Sequence, residues 1–376
     1  MTYTKIFCLS AFILVLTGTY YEATAQPHLY ANYISANNIG AMQRSIMTNT
    51  MQTFEGSIAA AITGQAVFYQ DFPQKNKKEA AANLYGRQAM YGTLSLYGEY
   101  GDDGSVFSDS RGRNGGDEYD SRPTLNNMWA NWNHFDGKAK FKDYDVLNSD
   151  YDLLTFGFAG GESQKGIGIS EWGFFGGYSG GVQENDFLNL SEHGGFIGFY
   201  SGYNIQKFNL SFAINIGSLS NTAESLYGVD KYTNMWSGAA LNATYNINID
   251  DTFTLQPGLY AGYTWVGSGN YISISGENVA NKNLNMFEIT PALRAIKHIT
   301  RGWFGYIGVK YVFRDINGGD MFIDGDGYEM LDMANYSEYG IGLEKSIDRF
   351  NISFHLNRLD GGYYGWDGGF NLKYIF

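Results

Sequence analysis

The 376 residues include 49 Gly, 30 Tyr, 26 Phe and 7 Trp but only 5 Pro, and carry a formal net charge of −13. That acidity excludes a nucleic-acid surface, which needs a basic patch, and fits acidic loops facing water. Glycine is nearly double its ordinary share of about 7%, yet beyond the first residues no segment has the ~18 uninterrupted apolar residues of a membrane helix.

Residues 1–25, MTYTKIFCLSAFILVLTGTYYEATA, read as a secretory signal peptide. Lys5 precedes a short apolar run, and Ala23-Thr24-Ala25 supplies the small-residue cleavage site. Cleavage before Gln26 removes Cys8, the only cysteine, and with it any disulfide or thiolate nucleophile.

Residues 26–126 are expected to hold a helix and a flexible linker. Ile39, Met42, Ile46, Met47, Met51, Phe54, Ile58 and Ile62 recur at steps of three and four, which predicts an amphipathic helix over 39–62. Gly40 and Gly56 weaken it. Its other face is neutral and polar, with Asn38, Gln43, Ser45, Thr48, Asn49, Gln52 and Thr53. The charge cluster QKNKKE and the Gly/Asp/Ser-rich run near 100–123 read as linker. MYGTLSLYGEY at 90–100 is compatible with one extra strand.

From residue 127 the period changes to two. In KFNLSFAINIG (207–217), Phe208, Leu210, Phe212, Ile214 and Ile216 share one face, opposite Asn209, Ser211, Ala213 and Asn215. RFNISFHLNRL (349–359) repeats the scheme, and so does FTLQPGLYAGY (253–263). A wall between lipid and water requires one apolar face and one small-polar face. Such segments recur near 127–135, 152–160, 167–179, 194–204, 207–217, 235–248, 253–266, 285–297, 302–314, 337–347, 349–359 and 366–376. Connections after every even-numbered segment are tight (GESQKG, IQK, NIDDT, KHITRG, SIDR). Those after the first, third, fifth, seventh and ninth are expected to be long, as in SGGVQENDFLNLSE. Short turns at one rim and long loops at the other predict an outer-membrane barrel with both ends at the short-turn side. The last strand places Phe370, Leu372, Tyr374 and Phe376 on its lipid face, edge-paired with the strand near 127–135.

The ordered set MWANWNHFDG, YDLLTFGFAGG, GISEWGFFGGYSGG, HGGFIGFYSGYNI, YGIGLEKSI and a terminal FNLKYIF resembles the C-terminal β-domain of autotransporters, the type V secretion family. The resemblance covers about 127–376. It implies a helix in the pore, for which 39–62 is the match, and a cargo segment before it. Here only Gln26 to Asn38 would remain as cargo, and a long repetitive passenger is missing. It also implies that the terminal strand (Phe370, Leu372, Tyr374, Phe376) is the signal read by the outer-membrane assembly machinery.

Other sites weigh less. No histidine has a zinc-type sequence spacing. His355, beside Ser353 and Asn357, reads as a polar lumen residue rather than a hydrolase base. DGDGYE (324–329), with Asp320, Asp324, Asp326 and Glu329, lacks the full calcium-loop pattern and reads as an acidic extracellular loop. Trp129, Trp172, Trp236, Trp265, Trp303 and Trp366 are expected in interfacial girdles.

The sequence therefore predicts an all-β protein, a transmembrane antiparallel β-barrel of about twelve strands with an N-terminal helix in or near the lumen. The expected function is that of a translocator displaying or exporting a short N-terminal segment. The alternative is a porin-like passive channel or a structural protein without cargo. Catalysis, cofactors and metals are not expected. The expected setting is the bacterial outer membrane, as a monomer. Its expected partners are lipid, lipopolysaccharide, the assembly machinery and periplasmic chaperones.

Overall fold

The computed structural model describes residues 31, 34–36, 38–48 and 50, and then 126–376 apart from gaps at 141–145, 165–167, 187, 206, 227, 251, 301, 319, 329–333 and 348. Expectations for 1–30, 51–62 and 63–125, including the signal peptide, the linker and a strand at 90–100, lie outside the described residues.

Twelve long strands follow one another: β1 (Asn127–Ala139), β2 (Leu147–Gln164), β3 (Gly168–Glu184), β4 (Leu188–Ile205), β5 (Phe208–Ser225) and β6 (Gly228–Tyr245). They continue as β7 (Phe253–Val266), β8 (Leu284–Thr300), β9 (Trp303–Gly318), β10 (Tyr336–Ile347), β11 (Phe350–Gly361) and β12 (Tyr363–Ile375). Each pairs antiparallel with the next, and β12 pairs with β1 from Asn127↔Ile375 to Ala139↔Tyr363, which closes the ring. Closure pairs each strand on both sides over the shared height, so the ladder groups there are satisfied without water, while 228–235 of β6 and 313–318 of β9 run beyond the next strand toward the outer rim.

The pattern of exposure follows the predicted faces. On β5, Phe208, Phe212, Ile214 and Ile216 are exposed while Asn209, Ser211, Ala213 and Asn215 are buried. On β12, Asn371, Lys373 and Ile375 point into the lumen, and Phe370, Leu372, Tyr374 and Phe376 point out. The backbone N–H of Phe376 donates to the Asn126 carbonyl at 3.0 Å, so pairing with the start of β1 runs to the last residue.

The loop expectation needs correction. After the third and fifth strands the chain crosses in residues 185–187 and 226–227 alone, and β11 and β12 are joined through Gly362. Strands β4, β5 and β6 each have 18 residues. At about 3.3 Å per residue and a ~40° tilt that is roughly 45 Å of height, well beyond an apolar band of ~25 Å. The physical reason is visible in 218–225. Period two persists there, but Ser218, Ser220 and Glu224 face outward and Leu219 and Ala223 inward. Above the lipid the outward face meets water, so the composition turns loop-like while the strand continues.

The long connections of the outer rim are 140–146, 267–283 and 319–335. Parts of the last two form a separate four-stranded sheet in the order 326–328, 321–323, 278–281, 271–272. It leans on inward residues of β6: Tyr271 stacks on Tyr232 at 5.0 Å, and the Ile274 N–H donates to Asp230 at 2.7 Å. Burial raises the Tyr271 hydroxyl pKa above its ordinary value. The segment read as an acidic loop is a tight hairpin in this sheet. Asp324 (φ 48°) and Gly325 (φ 97°) both take positive φ at its turn, as a two-residue type I′ hairpin requires.

Candidate functional site: the lumen and its helix

Residues 31–50, where described, are helical and lie inside the barrel. Ile34, Ile39, Met42, Ile46 and Met47 are buried, and so are Ser35, Asn38, Gln43 and Thr50 from the polar positions. A helix buried on all sides is enclosed rather than laid on a surface. Of the predicted stripe, Ile39, Met42, Ile46 and Met47 are thus in the lumen, while Met51, Phe54, Ile58 and Ile62 lie outside the described residues. The helix also begins earlier than the stripe suggests. Gly40 faces the wall: a Cβ there would meet the end of the flexible Met286 side chain of β8, which would have to move. Glycine permits the close approach of helix to wall.

The helix is held by polar contacts from several sides. Ser35 Oγ donates to Asn221 (2.9 Å) and Asn234 (3.2 Å). Asn38 donates to the Glu192 carboxylate, which also accepts from Gln183 at 3.0 Å. Arg44 Nη2 pairs with Glu338 at 2.6 Å, and its guanidinium lies 4.9 Å from the Tyr336 ring centre. Lys310 takes the other oxygen of Glu338, also at 2.6 Å. Ser45 and Tyr151 are 3.4 Å apart. Asn221, Asn234, Glu192, Glu338 and Tyr151 all lie in the outer-rim halves of their strands. Of the lumenal residues that the alternation singles out, Asn215 stands beside the helix, since a Cβ on Gly238, its cross-strand partner, would meet both the Gln43 amide and Asn215 Oδ1; Asn209 bonds instead to the wall residue Thr244 at 3.1 Å.

Two kinds of wall surround the helix. On β1 to β6 the bulky inward residues include aromatics seated beside glycines. A Cβ on Gly157 would sit 2.6 Å from the Trp129 ring, and one on Gly217 would sit 2.5 Å from Trp236. Phe196 covers Gly177 and Phe175 covers Gly198 in the same way. The rings lie against the strand next door and contact one another, as Trp129 does Tyr200 at 6.1 Å and Phe196 does Trp236 at 6.0 Å. Flattened rings leave the axis clear for a helix ~10–12 Å across. Trp129 and Trp236 are therefore lumenal, not interfacial as expected, because glycine on the adjacent strand offers each a seat. Trp172, Trp303 and Trp366 do face outward.

On β8 to β10 the wall is charged. Arg314 donates to Glu288 at 2.7 Å and lies between the Tyr336 and Tyr363 rings at 5.6 and 5.4 Å. With Arg44, Lys310 and Glu338 these groups form a network of both signs, buried except at Lys310. Nearer the turn rim, Lys373 of β12 reaches Glu171 of β3 at 3.3 Å, and Glu171 also accepts from the Tyr200 hydroxyl at 2.7 Å. His355 meets Asn133 (3.1 Å) and Asp367 (3.7 Å), so a partner acid exists that sequence could not name.

A closed ring of twelve antiparallel strands, entered by an N-terminal helix, now has structural counterparts. The fold is that of autotransporter translocator domains. The β-domain of the Bordetella autotransporter BrkA matches with a TM-score of 0.56 at 13% identity, over 67% of this chain and 100% of that one. The transport unit of the Escherichia coli autotransporter AIDA-I gives 0.58 at 18%, over 73% and 95%. The translocator domain of NalP from Neisseria meningitidis gives 0.51 at 13%, over 80% and 98%. At these identities the likeness is one of fold. No protein-family model matches the chain, and no curated sequence does.

Proposed function

We propose that this chain is a bacterial outer-membrane barrel of the autotransporter type, which holds its own N-terminal helix in the lumen and displays or exports the short segment before it. The observation that carries this reading is the enclosed helix, bound to β4, β5, β6 and β10 by side chains of its own. Its outward face is apolar enough for lipid, with lipopolysaccharide at the outer rim, and its partners in assembly are the outer-membrane machinery and periplasmic chaperones that read the terminal strand. No catalytic role is assigned. A porin-like channel is the competing outcome of the same test.

Surface labelling decides between them. In intact cells, Gln26→Cys should react with a membrane-impermeant maleimide if the segment is displayed. Labelling that requires permeabilised cells would place the segment on the periplasmic side and sink the display reading.

A further inference from the structure

The outward face of β1 to β4 changes character along its length. Met128 and Trp132 on β1, and Phe158, Phe156 and Leu154 on β2, are exposed and apolar. Toward the outer rim they give way to His134 and Asp136, and to Asp152 and Asp150. On the lipid face Arg and Lys cost ~2–4 kcal/mol at mid-bilayer and about 0–1 near the interface, and acidic groups follow the same trend at smaller cost. Trp132, Tyr178 and Trp366, each about half exposed, border the cluster on the outward face, as rings of an interfacial belt do. The cluster thus stands in the headgroup layer.

Cross-strand pairing assembles it. His134 is opposite Asp152, and Asp136 is opposite Asp150. His134 Nδ1 lies 3.3 Å from Asp152 Oδ1 and 3.9 Å from Asp150 Oδ1, and one ligand atom from each of the three residues falls within 4.8 Å of the others. The Trp132 indole N–H donates to Asp152 at 3.0 Å, and its ring stacks on His134 at 6.0 Å. Such neighbours orient a carboxylate and an imidazole toward a common point. Around a tetrahedral zinc with bonds of about 2.0–2.1 Å, ligand atoms stand roughly 3.3–3.4 Å apart. The 3.3 Å pair already has that spacing, and the Asp150 oxygen, 3.9 Å from the imidazole nitrogen, must move inward to complete it.

A groove of about 450 Å³ opens beside Asp152, lined by Asp150, Tyr178, Gly180, Val182 and His193. Gly180 pairs with both Asp152 and His193. A Cβ there would make only ordinary contacts, none nearer than 3.6 Å, so packing does not demand glycine. Its effect is to keep the floor open.

We propose that His134, Asp150 and Asp152 form a divalent-metal site on the outward face, in the headgroup layer. One nitrogen and two oxygen ligands suit Zn²⁺ or Mn²⁺, whereas Ca²⁺ and Mg²⁺ prefer six or more oxygens. The groove lies beside the two carboxylates, with room for a further ligand on the ion. The placement rests on the outward face meeting lipid; binding of the ion does not depend on export. Calorimetric titration of the barrel folded in detergent with Zn²⁺ should give one site of micromolar affinity. His134→Ala and Asp152→Asn should each weaken it by at least about tenfold, with all variants checked as folded by gel mobility, while His298→Ala should leave it unchanged. No uptake by the unaltered barrel below millimolar Zn²⁺, undiminished binding in His134→Ala, or an equal loss in His298→Ala would each overturn the proposal.

Discussion

The two halves of the lumenal wall hold the helix by different means. On β1 to β6, rings laid over glycines set the shape of the space, and the helix adds neutral donors, Ser35 and Asn38. On β8 to β10, charges of both signs face inward, and Arg44 enters their network directly. The first wall works through volume, where a single methyl group is felt. The second works through compensation, where removing one charge strands its partners. The difference teaches that the same barrel specifies how near the helix lies and which face it turns, by separate sets of residues.

Substitutions on each wall should therefore fail differently. The largest effect is expected at Glu338, whose carboxylate is shared by Arg44 and Lys310. Glu338→Ala leaves Arg44 and the part-exposed Lys310 without it and should cost about 3 kcal/mol, the low end for a buried pair, measured by urea unfolding in detergent. A cost below 1 kcal/mol would mean that the network is not what fixes the helix.

Gly217→Val should cost less, about 1–3 kcal/mol from overpacking, because Trp236 must leave its seat and enter the lumen. The same measurement applies, and a neutral result would show that the ring does not depend on that glycine.

The smallest effect on stability is expected outside both walls, at Phe376. Its ring faces outward and is half exposed, so Phe376→Ala should lose well under the ~1.5–3 kcal/mol of a fully buried ring and refold normally in vitro. In cells the same variant should accumulate poorly if the terminal aromatic serves assembly. Normal outer-membrane levels would refute that role.

The barrel was legible in the sequence because its rule is local: alternate residues meet different solvents, and nothing more distant is needed to read the faces of 207–217 or 349–359. The helix was legible at Ile39, Met42, Ile46 and Met47, the apolar steps that fall within the described residues. Loops were misjudged where strands rise above the lipid, since 218–225 keeps period two while its outward side turns polar. Trp129 and Trp236 were misplaced for a related reason. Their seats, Gly157 and Gly217, lie on neighbouring strands, and one strand's pattern does not show what its neighbour offers. The charged network and the cluster of His134, Asp150 and Asp152 escaped for the same reason. Asp150 and Asp152 share a strand, but His134 joins them only through the register, and Arg44 reaches Glu338 only once the helix is enclosed, so no sequence spacing marks either group.

The central claim is that the N-terminal helix fills the lumen of a closed twelve-stranded barrel. Single-channel conductance of the folded protein, with and without residues 26–70, tests it most directly. The intact chain should be nearly closed, and the shortened one, still folded by gel mobility, should conduct markedly more. Equal conductance of the two would contradict the enclosed helix.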